Sequence, residues 1–197
     1  MCYSKNVSMY AFVAGITVSL YLFNKPQKDL KIIGGFFFFV SFMQLFDYIF
    51  WTHPKDNELT TKVACIFNHL QPIVLAYLIY RYTGNLKLKI FVIHYAIAAF
   101  IYTSSNWDSL KRTDIDPTTG SLYWSWNHWK HAEYFYGFFL LLCTALCYYN
   151  LSAPYNKIMA LLFPLTFFMS YMKYGAKFMG RFWCYFSAYI PLIFLLV

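Results

Sequence analysis

A chain of 197 residues that is 60% hydrophobic and 24% aromatic, with 12% charged side chains, cannot hide its apolar surface in a soluble fold, where about 45–50% apolar and about 25% charged residues are usual. The formal charge of +8 does not mark a nucleic-acid binder, because the 16 Lys and Arg gather between apolar runs, where they meet lipid head groups and fix topology. Cys2, Cys65, Cys143, Cys147 and Cys184 show no CxxC or zinc-ligand spacing and read as small buried hydrophobes.

Taken in chain order, apolar runs near the ~20 residues that a bilayer-crossing helix needs predict seven transmembrane helices, at 8–24, 34–52, 62–82, 88–105, 131–150, 158–174 and 179–197. No small-residue cleavage site follows the polar start, so the first span reads as retained. Proline, asparagine and charges in NKPQKDLK and HPKDNELTT stop the helices at the water boundary. The connection 106–129 differs: a Pro117 to Gly120 turn signal precedes alternating aromatics, which predicts a hairpin or an interfacial cap. Trp107, Trp124, Trp126 and Trp129 would be its membrane-belt anchors. A loose amphipathic loop is the alternative. The basic short loops around Lys28 and around Lys87 favour an N-terminus outside and a cytoplasmic C-terminus. The sequons at Asn6 and Asn150 fall on opposite faces under that topology and read as chance.

The chain also repeats itself. Residues 9–48 align without a gap on 135–174, matching Tyr10 with Tyr136, Phe12 with Phe138, Leu20 with Leu146, Asn24 with Asn150, Lys31 with Lys157, Phe37 with Phe163 and Met43 with Met169. After a loop shortening, Lys62, Cys65, Phe67 and Pro72 recur as Arg181, Cys184, Phe186 and Pro191. The expected fold is therefore all-α, one transmembrane domain over 1–197. It comprises a first three-helix repeat (1–82), a linker helix with an interfacial loop (83–130) and a second three-helix repeat (131–197). An odd linker makes the repeat parallel. This three-plus-one-plus-three arrangement is shared by sugar transporters of the SWEET type and is proposed for microbial rhodopsins, but fold analogy does not give function.

Polar side chains within spans are costly in lipid and tend to face a bundle interior. Gln44 and Asp47 in span two, and Asn68 and Gln71 in span three, are each spaced i,i+3, which puts both members on one helix face. With Glu133 and Lys173 they are the expected lining of a polar cavity toward the N-terminal side. The repeat aligns Asp47 with Lys173 as a candidate pair. Pro72 and Pro191 are helix-break candidates, each freeing a backbone carbonyl. His128 and His131, at i,i+3, together with His53 and His69, are the candidates for a metal site, although no HExxH or histidine-box pattern is present. Span seven lacks the mid-helix lysine of a retinal protein, and neither a TVGYG filter nor a phosphate-binding loop occurs.

The run Gly180-Arg181-Phe182-Trp183-Cys184-Tyr185 followed by Pro191, with the Gln-Pro of NHLQP, resembles an uncharacterised multi-span membrane protein family of large algal and protist DNA viruses. That resemblance implies a virus-encoded protein of host or virion membranes, with no activity attached. Arg181 departs from the small residue that the family signature carries after the glycine. The expected function is a transporter or channel for a small solute or ion. The alternatives are a non-transporting receptor-like or scaffold protein and, from a third class, a membrane-embedded metal-dependent enzyme. No catalytic constellation is recognisable, which weighs against an enzyme. No cofactor is expected, membrane lipids are the expected partners, and nothing in the sequence reads an oligomeric state.

Overall fold

The structure, a computed structural model, describes residues 4–117, 120–174 and 181–197. Its elements in order are α1 (Lys5–Phe23), α2 (Lys28–Thr52), α3 (Glu58–Thr83), α4 (Lys89–Ser105), a hairpin of β1 (Asp114–Asp116) and β2 (Ser121–Tyr123), α5 (Ala132–Asn150), α6 (Tyr155–Tyr174), α7 (Arg181–Ser187) and α8 (Ile190–Ile193). The first helix opens on Ser4, whose hydroxyl accepts from the Val7 N–H at 3.3 Å, satisfying one of the donors that a helix start leaves free. The third closes on Gly84 at φ 71°, a left-handed turn that glycine adopts at little cost.

Four helices, α1, α2, α3 and α5, are long and apolar enough to cross a membrane. At 17 residues α4 is shorter, spanning ~25 Å at 1.5 Å per residue. The sixth helix has 20 residues and keeps its helical course through Pro164. The expected seventh span is not one continuous helix over 181–197: α7 ends at Ser187 and α8 begins at Ile190. Ser187 is the residue whose carbonyl Pro191 leaves without its i,i+4 donor, and the proline ring crowds that same carbonyl. Pro72 has the same effect on the Asn68 carbonyl, yet α3 continues through it. Residues 179 and 180 of that span lie outside the described residues.

The core is built on α2, which packs against α1, α3, α7 and α8. Its run of phenylalanines buries Phe36, Phe37 and Phe50, and Phe39 stacks on Phe67 of α3 with ring centroids 4.8 Å apart. The seam with α1 depends on small residues. A Cβ on Gly34 would lie 2.5 Å from the Phe23 backbone N and 2.6 Å from the Ser19 carbonyl oxygen, so only a hydrogen fits between these backbones. Outward faces are apolar as well: Tyr10 and Val13 on α1, Phe91, Ile97 and Phe100 on α4, and Leu161, Phe168 and Met172 on α6 are exposed. Large apolar side chains on the outside of several helices are what a lipid-facing surface requires.

The hairpin predicted between α4 and α5 is present, pairing Asp114 with Tyr123, Ile115 with Leu122 and Asp116 with Ser121. Gly120 at φ 60° turns the chain. Trp124, Trp126 and Trp129 are buried rather than turned to lipid, because β2 packs on α2 and the following turn, Ser125–His128, on α5. The cap is fastened from α3. Asn57 Nδ2 donates to the Thr113 carbonyl at 3.0 Å and its Oδ1 accepts from the Thr113 N–H at 2.9 Å, with Thr61 Oγ1 also accepting from that N–H at 3.0 Å. At the far end of the bundle, Asn150 Oδ1 accepts from the Lys87 N–H at 2.9 Å, and the Ser152 hydroxyl donates to Asp29.

Candidate functional site

Gln44, Asp47, Asn68 and Gln71 are all buried, so the i,i+3 spacing on α2 and α3 does place four polar side chains inside the bundle. Three of them have hydrogen bonds that reach another helix, the cap or each other. Trp124 Nε1 donates to Asp47 Oδ1 at 3.2 Å. Asn68 Nδ2 donates to the Tyr136 hydroxyl at 3.0 Å, Gln71 Nε2 reaches Asn68 Oδ1 at 3.5 Å, and Trp183 Nε1 donates to Gln71 Oε1 at 3.4 Å. Aromatic rings close the space around them, with Phe163 4.8 Å and Phe167 5.7 Å from Trp183. Glu133, in the first turn of α5, and Lys173, in the last turn of α6, are exposed instead. Ion pairs join Lys62 to Glu58 and Arg112 to Asp114. The side chains of Arg181 and Cys184, and all of Gly180, lie outside the described residues.

The residue that gathers most of the buried polarity is His69, which spacing alone marked only as a remote metal candidate. Its Nδ1 lies 2.8 Å from Thr103 Oγ1 of α4 and its Nε2 3.3 Å from the Tyr136 hydroxyl of α5. Tyr95 donates its hydroxyl to the His69 carbonyl at 2.9 Å, and the ring of Phe135 stands edge-on at 4.7 Å. One imidazole therefore ties α3 to both α4 and α5. Its position next to Asn68 was visible in NHLQP. Its partners were not, since Tyr95, Thr103 and Tyr136 come from helices whose facing no spacing fixes.

Beside His69 the surface opens. A cavity of about 550 Å³ lies between α3 and α4, lined by Ile66, His69, Leu70, Ile73, Ala96, Ala99, Phe100, Thr103, Ser104 and Trp107. A second, of about 570 Å³, continues along the same pair of helices past Ala76, Tyr80, Gly84, Asn85 and Lys89. Ile73 lines both, so together they form a groove along α3 and α4. The alanines make it: Ala76, Ala96 and Ala99 leave room where larger residues would interdigitate. Its rim residues Leu70 and Phe100 are exposed on the apolar exterior, and its floor presents the His69 ring and the Thr103 hydroxyl. Neither cavity is lined by Gln44, Asp47, Asn68 or Gln71.

The two histidines just ahead of α5 each meet an aromatic ring. His128 stacks on Tyr123 with centroids 4.3 Å apart, while His131 lies 6.0 Å from Tyr134. Among the described residues no three His, Cys, Asp or Glu side chains come together as a metal-binding group. Comparison with protein families, with curated proteins and with solved structures finds no match.

Proposed function

We propose that the chain is a receptor-like membrane protein that takes a small apolar or amphipathic molecule sideways from the bilayer into the groove between α3 and α4. The observation that carries this reading is a lipid-facing groove with a polar floor, His69 and Thr103, beneath an apolar rim. An apolar pocket with a few convergent polar groups is the usual form of a small-molecule site. A ligand's alkyl part would displace lipid from Leu70, Ile73 and Phe100, and a hydroxyl or carbonyl could exchange hydrogen bonds with Thr103 and the imidazole edge. The experiment is photolabelling with a diazirine-bearing long-chain alcohol in reconstituted vesicles. Adducts on Leu70, Ile73 and Phe100 in excess of those on the outward face of α1, Tyr10 and Val13, are expected, and Ala96→Phe removes the excess by filling the groove. Equal labelling of the two faces would sink the reading.

Two further parts of the reading belong to the same proposal. The helices form two related triplets about α4: α1 and α5 have the same length, 19 residues, and each leads by a short turn into a longer partner, in keeping with the residue matches between the two halves. The likeness of the segment around Trp183 to the viral family is the support for a host or virion membrane as its place. A transport reading keeps one specific support, a fully buried carboxylate, Asp47, beneath the Trp124 indole of the cap. Under it, the described state is closed and lifting the cap opens a route past Gln44, Asn68 and Gln71.

A further inference from the structure

The two mouths of the groove differ in charge. At the Trp107 end, the cation Lys62 sits 5.7 Å from the Trp107 ring centroid and is already matched by Glu58, whose Oε1 is 2.6 Å away. At the other end Lys89 lines the cavity, and two more cations are exposed nearby in sequence, Arg81 in the last turn of α3 and Lys87 in the α3–α4 connection. No Asp or Glu occurs between Leu59 and Trp107, and none of these three cations has an ion pair among the described residues. The acid at this end of the bundle, Asp29, is buried and holds the Ser152 hydroxyl. One mouth is thus neutralised and the other is left with uncompensated positive charge beside an apolar channel.

The channel is long enough for a lipid tail. From Lys89 to Ser104 the α4 wall rises ~22 Å at 1.5 Å per residue, which exceeds the ~15 Å depth of one leaflet of a ~30 Å hydrocarbon core. A chain entering at Lys89 therefore runs past Ile73 and ends near His69 without leaving the groove. Basic pockets between membrane helices are sites for anionic head groups. From the charge asymmetry and the length together we infer that the groove holds an anionic glycerophospholipid, its phosphate at Lys89 and one acyl chain laid over Ile73 toward His69. The inference rests on the groove being a ligand site; for this lipid class it sets the charged end at Lys89 and leaves the His69 and Thr103 end to the tip of the acyl chain.

The test uses the full chain in phosphatidylcholine vesicles carrying a trace of either phosphatidylglycerol or phosphatidylcholine with a diazirine in the acyl chain, and maps adducts within 66–80 and 92–100 by mass spectrometry. Phosphatidylglycerol is expected to label these segments about fivefold more strongly per cation engaged. Lys89→Gln lowers that labelling toward the phosphatidylcholine level and leaves phosphatidylcholine labelling unchanged. Lys89→Arg retains the preference, which separates lost charge from lost folding, and excess inorganic phosphate does not compete. Equal groove labelling by the two lipids would overturn the head-group assignment while leaving the groove as a ligand site. Labelling of the groove by neither, beyond that of α1, would overturn both. An undiminished preference in Lys89→Gln overturns the placement of the phosphate, and competition by inorganic phosphate overturns the choice of a lipid.

Discussion

Asn57 sits at the N-cap of α3, where an amide side chain ordinarily accepts from the free N–H groups of the first turn, yet it makes no such bond and instead exchanges two hydrogen bonds with the Thr113 backbone. It behaves as a strand neighbour would, satisfying a buried peptide N–H and carbonyl in the connection that leads into the hairpin. Asn57→Ala leaves the Thr113 carbonyl without its amide donor and the Thr113 N–H with Thr61 alone, at a cost of about 1–3 kcal/mol. Faster tryptic cleavage after Arg112 and a lower melting temperature are the expected results, and Asn57→Asp, which turns a buried carboxylate oxygen toward that carbonyl, does no better. The sequence pointed to a turn and a cap here, through Pro117, Gly120 and the aromatic alternation, but not to its anchor. Nothing in the spacing of HPKDNELTT tells whether Asn57 caps its own helix or reaches 56 residues ahead. His69 was hidden for the same reason: a helical period fixes which residues share a face, whereas the identity of the facing helix is a property of the packed bundle.

Among the elements, the α1–α2 pair shows how closely two helices approach when a single hydrogen replaces a side chain. The atoms that a methyl on Gly34 would strike are backbone, the Phe23 nitrogen and the Ser19 oxygen, which cannot swing aside. Gly34→Ala is therefore expected to lower thermal stability by several degrees despite the better helix propensity of alanine, by forcing the helices apart. Gly137 of α5 has nothing within 4 Å of the corresponding position. Gly137→Ala should be neutral or stabilising by up to about 1 kcal/mol, and a loss of stability there equal to that of Gly34→Ala would argue against the seam. Six of the seven apolar runs form single helices, of which α1, α2, α3 and α5 are long and apolar enough to cross a membrane. The last does not. Pro72, Pro164 and Pro191 look alike in sequence, yet α3 and α6 run on past theirs while α7 stops four residues before its own. The difference lies in what surrounds each proline, which a linear reading does not contain.

Among the described residues, large apolar side chains stand exposed on several helices while Gln44, Asp47, Asn68 and Gln71 are buried, which suits a protein whose surroundings are lipid. Of the six residues expected to line a route, Gln44, Asp47, Asn68 and Gln71 are enclosed, and Glu133 and Lys173 stand at exposed helix ends. Legible in sequence was that α2 and α3 would each turn two polar side chains to one face. The rings that close over them, Trp124 and Trp183, arrive from sequence positions 77 and 112 residues away. Under the binding reading, reconstituted protein passes protons, ions and small polar solutes no faster than protein-free vesicles. A flux that Asp47→Asn or Lys173→Met abolishes would replace binding by transport. The cap that seals the polar residues also gives the molecule an optical signature. Trp124 and Trp126 stack with centroids 4.9 Å apart and planes inclined by 30°, close enough for their strong indole transitions to couple, so the seated hairpin contributes an exciton couplet at the long-wavelength edge of the far-ultraviolet circular dichroism. Lifting Trp124 from Asp47 would quench that couplet while the shorter-wavelength amide bands of the helices stay constant, making the position of the cap readable in an unlabelled protein.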